Sequence, residues 1–128
     1  YMPTDSQAPI WCTAAGKIYL STLTKDDRVT LLKNLSLTAI TPATITDRDV
    51  LNQSLDQVAK LRYAISDEEY IAQAVSIAVA INDTQGRYIG SLYTTAPKTR
   101  KSVEDLIGFV PDMQKAADDI RDAFFGEI

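Results

Sequence analysis

The sequence predicts a fold of the α/β class in its α+β form: an antiparallel sheet with helices packed on it. Two observations carry this. Residues 74–82 alternate, with Val75, Ile77, Val79 and Ile81 on one face and Ala74, Ser76, Ala78 and Ala80 on the other. A turn sequence, Asp83-Thr84-Gln85-Gly86-Arg87, then leads into a second apolar run over 88–95, which is the pattern of a hairpin. Segments with helical spacing and capping signals flank this pair, and 128 residues suit a single domain.

The elements follow in chain order. Residues 1–11 read as an extended leading segment, because Pro3, Pro9 and the polar run Thr4-Asp5-Ser6-Gln7 favour no regular structure. A short helix starts near Thr13, and its small residues Ala14, Ala15 and Gly16 allow another group to approach the backbone closely. Thr24 caps a second short helix, with Asp27 three residues on; Val29, Leu32 and Leu35 form its apolar stripe. Residues 36–46 are a Thr-rich connector carrying Pro42. Thr46-Asp47-Arg48-Asp49 opens the clearest amphipathic helix, with Leu51, Leu55, Val58 and Arg62 on one side, running to about Leu61. Tyr63-Ala64-Ile65-Ser66 reads as a short strand, followed by the acidic triplet Asp67-Glu68-Glu69. After Pro97, Ser102 and Asp105 cap a closing helix. Its stripe is Leu106, Phe109 or Val110, Met113, Ala117, Ile120 and Phe124, and Pro111 predicts a break near Val110.

Composition removes several function classes. The net charge is −4, so the chain as a whole repels a phosphate backbone. It has no His, which removes His triads, His metal sites and imidazole proton shuttles. A single Cys rules out an internal disulfide and a multi-Cys zinc site. No apolar run reaches the ~18 residues of a bilayer-spanning helix, and no signal-peptide pattern opens the chain. A cytoplasmic setting with no membrane partner is therefore expected. Tyr1-Met2 is not a natural start, so the chain reads as a piece of a longer protein.

A binding surface emerges from the hairpin. If Asp83 pairs with Tyr88, then Ser76 pairs with Thr95 and Ala78 with Tyr93, and paired residues share a face. Ala74, Ser76, Ala78, Ala80, Ser91, Tyr93 and Thr95 then form a floor of mostly small side chains, several bearing hydroxyls. Such a floor either admits a closely packed helix or leaves a hollow for a small polar ligand. A carboxylate there would satisfy the Ser76, Tyr93 and Thr95 hydroxyls and the N–H groups of Ala14, Ala15 and Gly16. Other candidates are plainer. The acidic triplet reads as a solvated loop and Cys12 as a buried, inert thiol. Lys98, Arg100 and Lys101 read as a solvated basic loop. No nucleophile elbow, P-loop or dinucleotide fingerprint is present, so no enzyme activity is expected.

Four ordered segments resemble those of the IclR-type bacterial transcriptional regulators. They are Thr13-Ala14-Ala15-Gly16-Lys17 after Pro9, Thr41-Pro42-Ala43-Thr44-Ile45-Thr46, Arg62-Tyr63-Ala64-Ile65-Ser66-Asp67-Glu68-Glu69, and Ala96-Pro97-Lys98-Thr99-Arg100. The resemblance implies a single GAF-like effector-binding domain over residues 1–128, without the winged helix-turn-helix and the opening strands of the family. It implies that DNA is bound only through that separate N-terminal domain. A small organic acid is the implied effector, no cofactor is implied, and the assembly is a homodimer or tetramer. Carried over by position, the family pocket falls on Ala8, Ala14, Ala15, Ser66, Asp67, Ser76, Tyr93 and Thr95. The sequence departs from the family where its usual acid becomes Ser66, its frequent Cys becomes Ser76 and a small Ser becomes Tyr93. A dimerisation module whose pocket is filled by side chains is the alternative.

Overall fold

The computed structural model describes residues 8–126. Of the expected extended leading segment, residues 1–7 lie outside the described range. The elements are α1 (Ala14–Thr22), α2 (Lys25–Asn34), α3 (Arg48–Leu61), β1 (Ala64–Asp67), β2 (Ala74–Asn82), β3 (Tyr88–Pro97), α4 (Val103–Ile107) and α5 (Val110–Phe125). The strands form one antiparallel sheet in the order β1-β2-β3.

The sheet is covered on both faces, and the side-chain alternation of β2 decides what covers each. Val75, Ile77 and Val79 are buried against Leu106, Val110 and Ala117 of α4 and α5. Each such aliphatic side chain contributes about 1.5–3 kcal/mol by leaving water. On the opposite face, Ala78 and Ala64 lie against Ala14 and Ile18 of α1 and Val58 of α3. A third cluster, Leu20, Leu32, Leu37, Leu51 and Leu55, joins α1, α2 and α3 beside the sheet.

The helix boundaries follow from side-chain caps. Thr13 accepts from Gly16 N, Thr24 from Asp27 N, and Asp47 from both Asp49 N and Val50 N. Ser102 and Asp105 form a reciprocal capping box on α4. Pro111 sits in the first turn of α5, where its missing N–H costs nothing, so the expected break falls between α4 and α5. In the hairpin, Ser76 faces Thr95 and Ala78 faces Tyr93.

Several expectations need correction. The register shifts between Ile81 and Asn82, so Asn82, and not Asp83, faces Tyr88. Asp83 instead closes the turn: it accepts from Gln85 N and Arg87 N, and Gly86 supplies the positive φ. Val29 is exposed, and the buried side of α2 is Arg28 and Leu32. Arg28 can be buried because its guanidinium bonds Asn52 Oδ1 at 2.7 Å and pairs with Asp56, both on α3. Arg62 leaves the stripe of α3 to adopt the left-handed conformation of its C-cap. Phe124 is also exposed, because α5 runs past the edge of the core there.

Candidate functional site

The small-residue face does both things such a face can do. Over Ala78 and Ala80 it admits α1. Ser91 Oγ fixes that contact by donating to the Ala15 carbonyl at 3.0 Å, and the Tyr88 hydroxyl lies 2.8 Å from Ser91 Oγ. Toward Ala74 and Ser76, at the start of α1, a cavity of about 160 Å³ remains. Its walls are Ala8, Thr13, Ala14 and Ala15 at the start of α1, Ser66 of β1, Tyr70 and Ile71 of the following loop, and Ala74, Ser76, Tyr93 and Thr95 of the hairpin. Every residue assigned to the pocket from sequence lies in this wall except Asp67. Asp67 turns away from it to an ion pair with Lys98 Nζ at 2.7 Å.

The polar groups of the cavity can be counted one by one. Gly16 N is used by the Thr13 side chain, which corrects the expectation that it faces a ligand. Ala14 N and Ala15 N, ahead of the first intrahelical bonds, donate to no group among the described residues. Ser66 is 5% exposed and donates its hydroxyl proton to the Cys12 carbonyl at 2.6 Å, so it can only accept from a ligand. Ser76 Oγ and Thr95 Oγ1 are 2.7 Å apart; one donates to the other, and the second keeps a proton to offer. Tyr93 is 59% exposed and stands at the rim. Among the described residues, no charged side chain lines the cavity. The result is a small space with an apolar body, backbone N–H donors at a helix start and hydroxyls opposite.

A wider groove of about 730 Å³ lies at the other end of the sheet, reaching Arg62, Asn82, Gln114 and Asp118. It is larger but less enclosed, and its polar groups spread over both faces of the sheet. The smaller cavity is the better site because its donors converge on one volume.

The residues read from sequence as solvated loops do not line this cavity; the acidic triplet and Lys98 flank the loop that carries two of its wall residues, Tyr70 and Ile71. Glu69 is 8% exposed and Lys17 4% exposed, and they form a buried ion pair at 2.7 Å. Lys17 Nζ also donates to the Ile65 carbonyl at 2.9 Å. Thr44, itself buried, donates to the Glu69 carbonyl at 2.6 Å, and Thr41 donates to the Glu68 carbonyl at 2.5 Å. Lys98 Nζ reaches both Asp67 and Glu68. Each member of the acidic triplet therefore has a cationic partner, but only Glu69 is buried, which overturns the solvated-loop expectation for that residue; Asp67 and Glu68 stay partly exposed, and Lys98, Arg100 and Lys101 are exposed, as a solvated loop requires. The signal that could have revealed this is Lys17. A lone cation on the buried side of a small, apolar helix requires a buried acid to meet it.

Cys12 is fully buried, as expected. Burial pushes its thiol up to about 11, with Glu69 adding to the rise and Lys17 opposing it. The folded state thus holds this proton more tightly than the unfolded chain does. The contribution is complete below the ordinary thiol value of 9.0 and is lost as pH rises toward 11. Between pH 8 and pH 11 the parent chain is expected to lose more stability than Cys12→Ala, measured as the difference between their urea midpoints. Equal losses would contradict this.

Among the described residues, no helix is long and apolar enough to cross a membrane, and no cluster of His, Cys, Asp or Glu could hold a metal ion.

Comparison with known proteins gives a consistent result. The family described as "Bacterial transcriptional regulator IclR C-terminal" matches residues 4–122. A p-hydroxybenzoate hydroxylase transcriptional activator of Acinetobacter baylyi is 30% identical over 121 residues, which is 94% of this chain and 45% of that protein. The chain spans about half the length of the curated relatives it matches. These relatives are transcriptional regulators and not enzymes. Among solved structures, a double mutant of the inducer-binding domain of the PobR transcription factor from Acinetobacter, in complex with 3-hydroxybenzoic acid, superposes with a TM-score of 0.85. It is 27% identical, with 94% of this chain and 77% of that chain covered. The C-terminal domain of the E. coli regulator KdgR gives a TM-score of 0.83 at 32% identity, covering 93% and 72%.

Proposed function

The chain belongs to the IclR family of bacterial transcriptional regulators, as its C-terminal domain, and from this we propose that it senses a small organic acid in the cavity between α1 and the hairpin. One observation carries the reading: Ala14 and Ala15, whose N–H groups donate to nothing among the described residues, and the Ser76–Thr95 hydroxyl pair all line the same enclosed volume. Donors at a helix start, backed by the helix dipole, suit a carboxylate. Lys17 is committed to Glu69, so the carboxylate is met by N–H and O–H groups and not by a cation. The space matches the rest of the molecule: an apolar cavity of about 150 Å³ is large enough for a benzene ring. The inducer-binding domain solved with 3-hydroxybenzoic acid supports a ligand of this class.

In the whole protein, a separate N-terminal domain binds DNA, and the domain described here forms the homodimer or tetramer that couples the two. The acid changes DNA binding only so far as it binds one arrangement of the assembly better than the other. The setting is the bacterial cytoplasm. The test is calorimetry with benzoate, 3-hydroxybenzoate and short-chain carboxylates, with the matching amides as controls. Saturable heat is expected for at least one acid and a binding constant at least tenfold weaker for its amide. Absence of heat across the acids would contradict the reading.

A further inference from the structure

The loop between β1 and β2 forms the outer wall of the cavity, yet the one backbone hydrogen bond to its two wall residues among the described residues is Ala74 N donating to the Ile71 carbonyl at 3.2 Å. Tyr70 and Ile71 line the space. Among the described residues, the N–H groups of Tyr70, Ile71 and Ala72 donate to nothing. The loop is fastened instead at its two ends. At the far end, Gln73 N donates to Glu68 Oε1 at 2.8 Å and Lys98 N donates to the Gln73 carbonyl at 2.8 Å. At the near end stands Glu69. Its carboxylate is bound by Lys17, which reaches over from α1, and its carbonyl by Thr44, which reaches up from the connector. Thr44 is itself set in place by accepting from Ile40 N and Thr41 N. Glu68 and Gln73 both adopt positive φ (58° and 63°), so the loop is a specific bent conformation and not an extended one.

We propose that Glu69 is a positioning residue for the cavity: clamped by Lys17 at its carboxylate and by Thr44 at its carbonyl, it holds the adjoining Tyr70 and Ile71 in place as the wall that closes over the ligand. This rests on the cavity being the ligand site. Glu69 touches no ligand and does not line the space. It acts through its two neighbours. A buried ion pair tolerates loss of one member poorly, because the other is left charged and unpaired. The loop is thus fixed in one conformation by groups drawn from α1 and from the connector.

Hydrogen–deuterium exchange on the full chain tests this without any ligand, and calorimetry with benzoate reads the consequence. In Glu69→Gln, the hydrogen-bonded amides of the loop, those of Glu68, Gln73 and Ala74, are expected to exchange at least tenfold faster, while those over 51–58 and 75–79 stay unchanged. Benzoate is expected to bind at least fivefold more weakly. Thr44→Val, which leaves the charges intact, is expected to give the same local loosening, and Thr44→Ser to restore the parent behaviour. These two variants decide the question if Glu69→Gln does not fold. The proposal is overturned if exchange at Glu68, Gln73 and Ala74 is unchanged, if it rises only as part of a uniform rise along the chain, or if it rises while benzoate affinity stays the same. Failure of the parent chain to bind any of the acids contradicts the ligand site itself. In that case the exchange data still show whether Glu69 holds the loop.

Discussion

Gly16→Ala is expected to be among the most damaging single-methyl changes in this chain. A Cβ at Gly16 would lie 2.4 Å from Ile10 Cα and 2.5 Å from the Ile10 carbonyl oxygen. Both are backbone atoms, so no side chain can rotate out of the way. Either α1 moves off the sheet or the segment holding Ala8 and Ile10 moves off α1. The first breaks the contact with Ala78, and the second takes down one wall of the cavity. Overpacking of this kind costs about 1–3 kcal/mol even where side chains can adjust, and here they cannot, so the upper end is expected. Denaturant unfolding measures it directly. Gly90→Ala is the control, because a Cβ there meets nothing within 4 Å. Equal stability of the two variants would contradict the close approach of Ile10 to α1.

Ser76→Phe is expected to remove ligand binding with much less effect on folding. Ser76 lies on the cavity side of β2 and shares its hydroxyl proton network with Thr95. A phenyl ring at that position would fill most of a space of about 160 Å³, leaving none for an acid. The buried apolar face of β2 is untouched, since Val75 and Ile77 point the other way. Loss of one hydroxyl pair costs about 1 kcal/mol, and burial of the ring offsets part of it. Any acid bound by the parent chain is therefore expected to show at least a hundredfold loss of affinity, about 2.7 kcal/mol. If Ser76→Phe binds as well as the parent, the ligand sits elsewhere, and the groove reaching Arg62 and Asp118 becomes the site to examine.

The hairpin and its register were legible because side-chain alternation and pairing arithmetic depend on residues close in the sequence. Once Ser76 faced Thr95, the small-residue face and most of the cavity wall followed. The helix caps at Thr24 and Ser102, the capping signal over Thr46–Asp49 and the helix start near Thr13 were legible for the same reason: each is settled within a few residues. What could not be read was the pairing across long separations. Glu69 meets Lys17 over 52 positions and Thr44 over 25, so neither the triplet nor the connector announced its role. Arg28 was missed because an Asp on another helix decides its burial. Asp67 was misplaced because it follows Ser66 within β1: side chains alternate along a strand, so with Ser66 on the cavity face Asp67 points the other way, to Lys98.

The most direct measurement is an NMR titration of the labelled domain with benzoate, following the backbone amides. A carboxylate held at the start of α1 should shift the Ala14 and Ala15 amides first and most, with Ser76 and Thr95 close behind. Perturbation confined to Ile18, Asn82 and Gln114, or none at saturating acid, would place the sensing function outside this cavity.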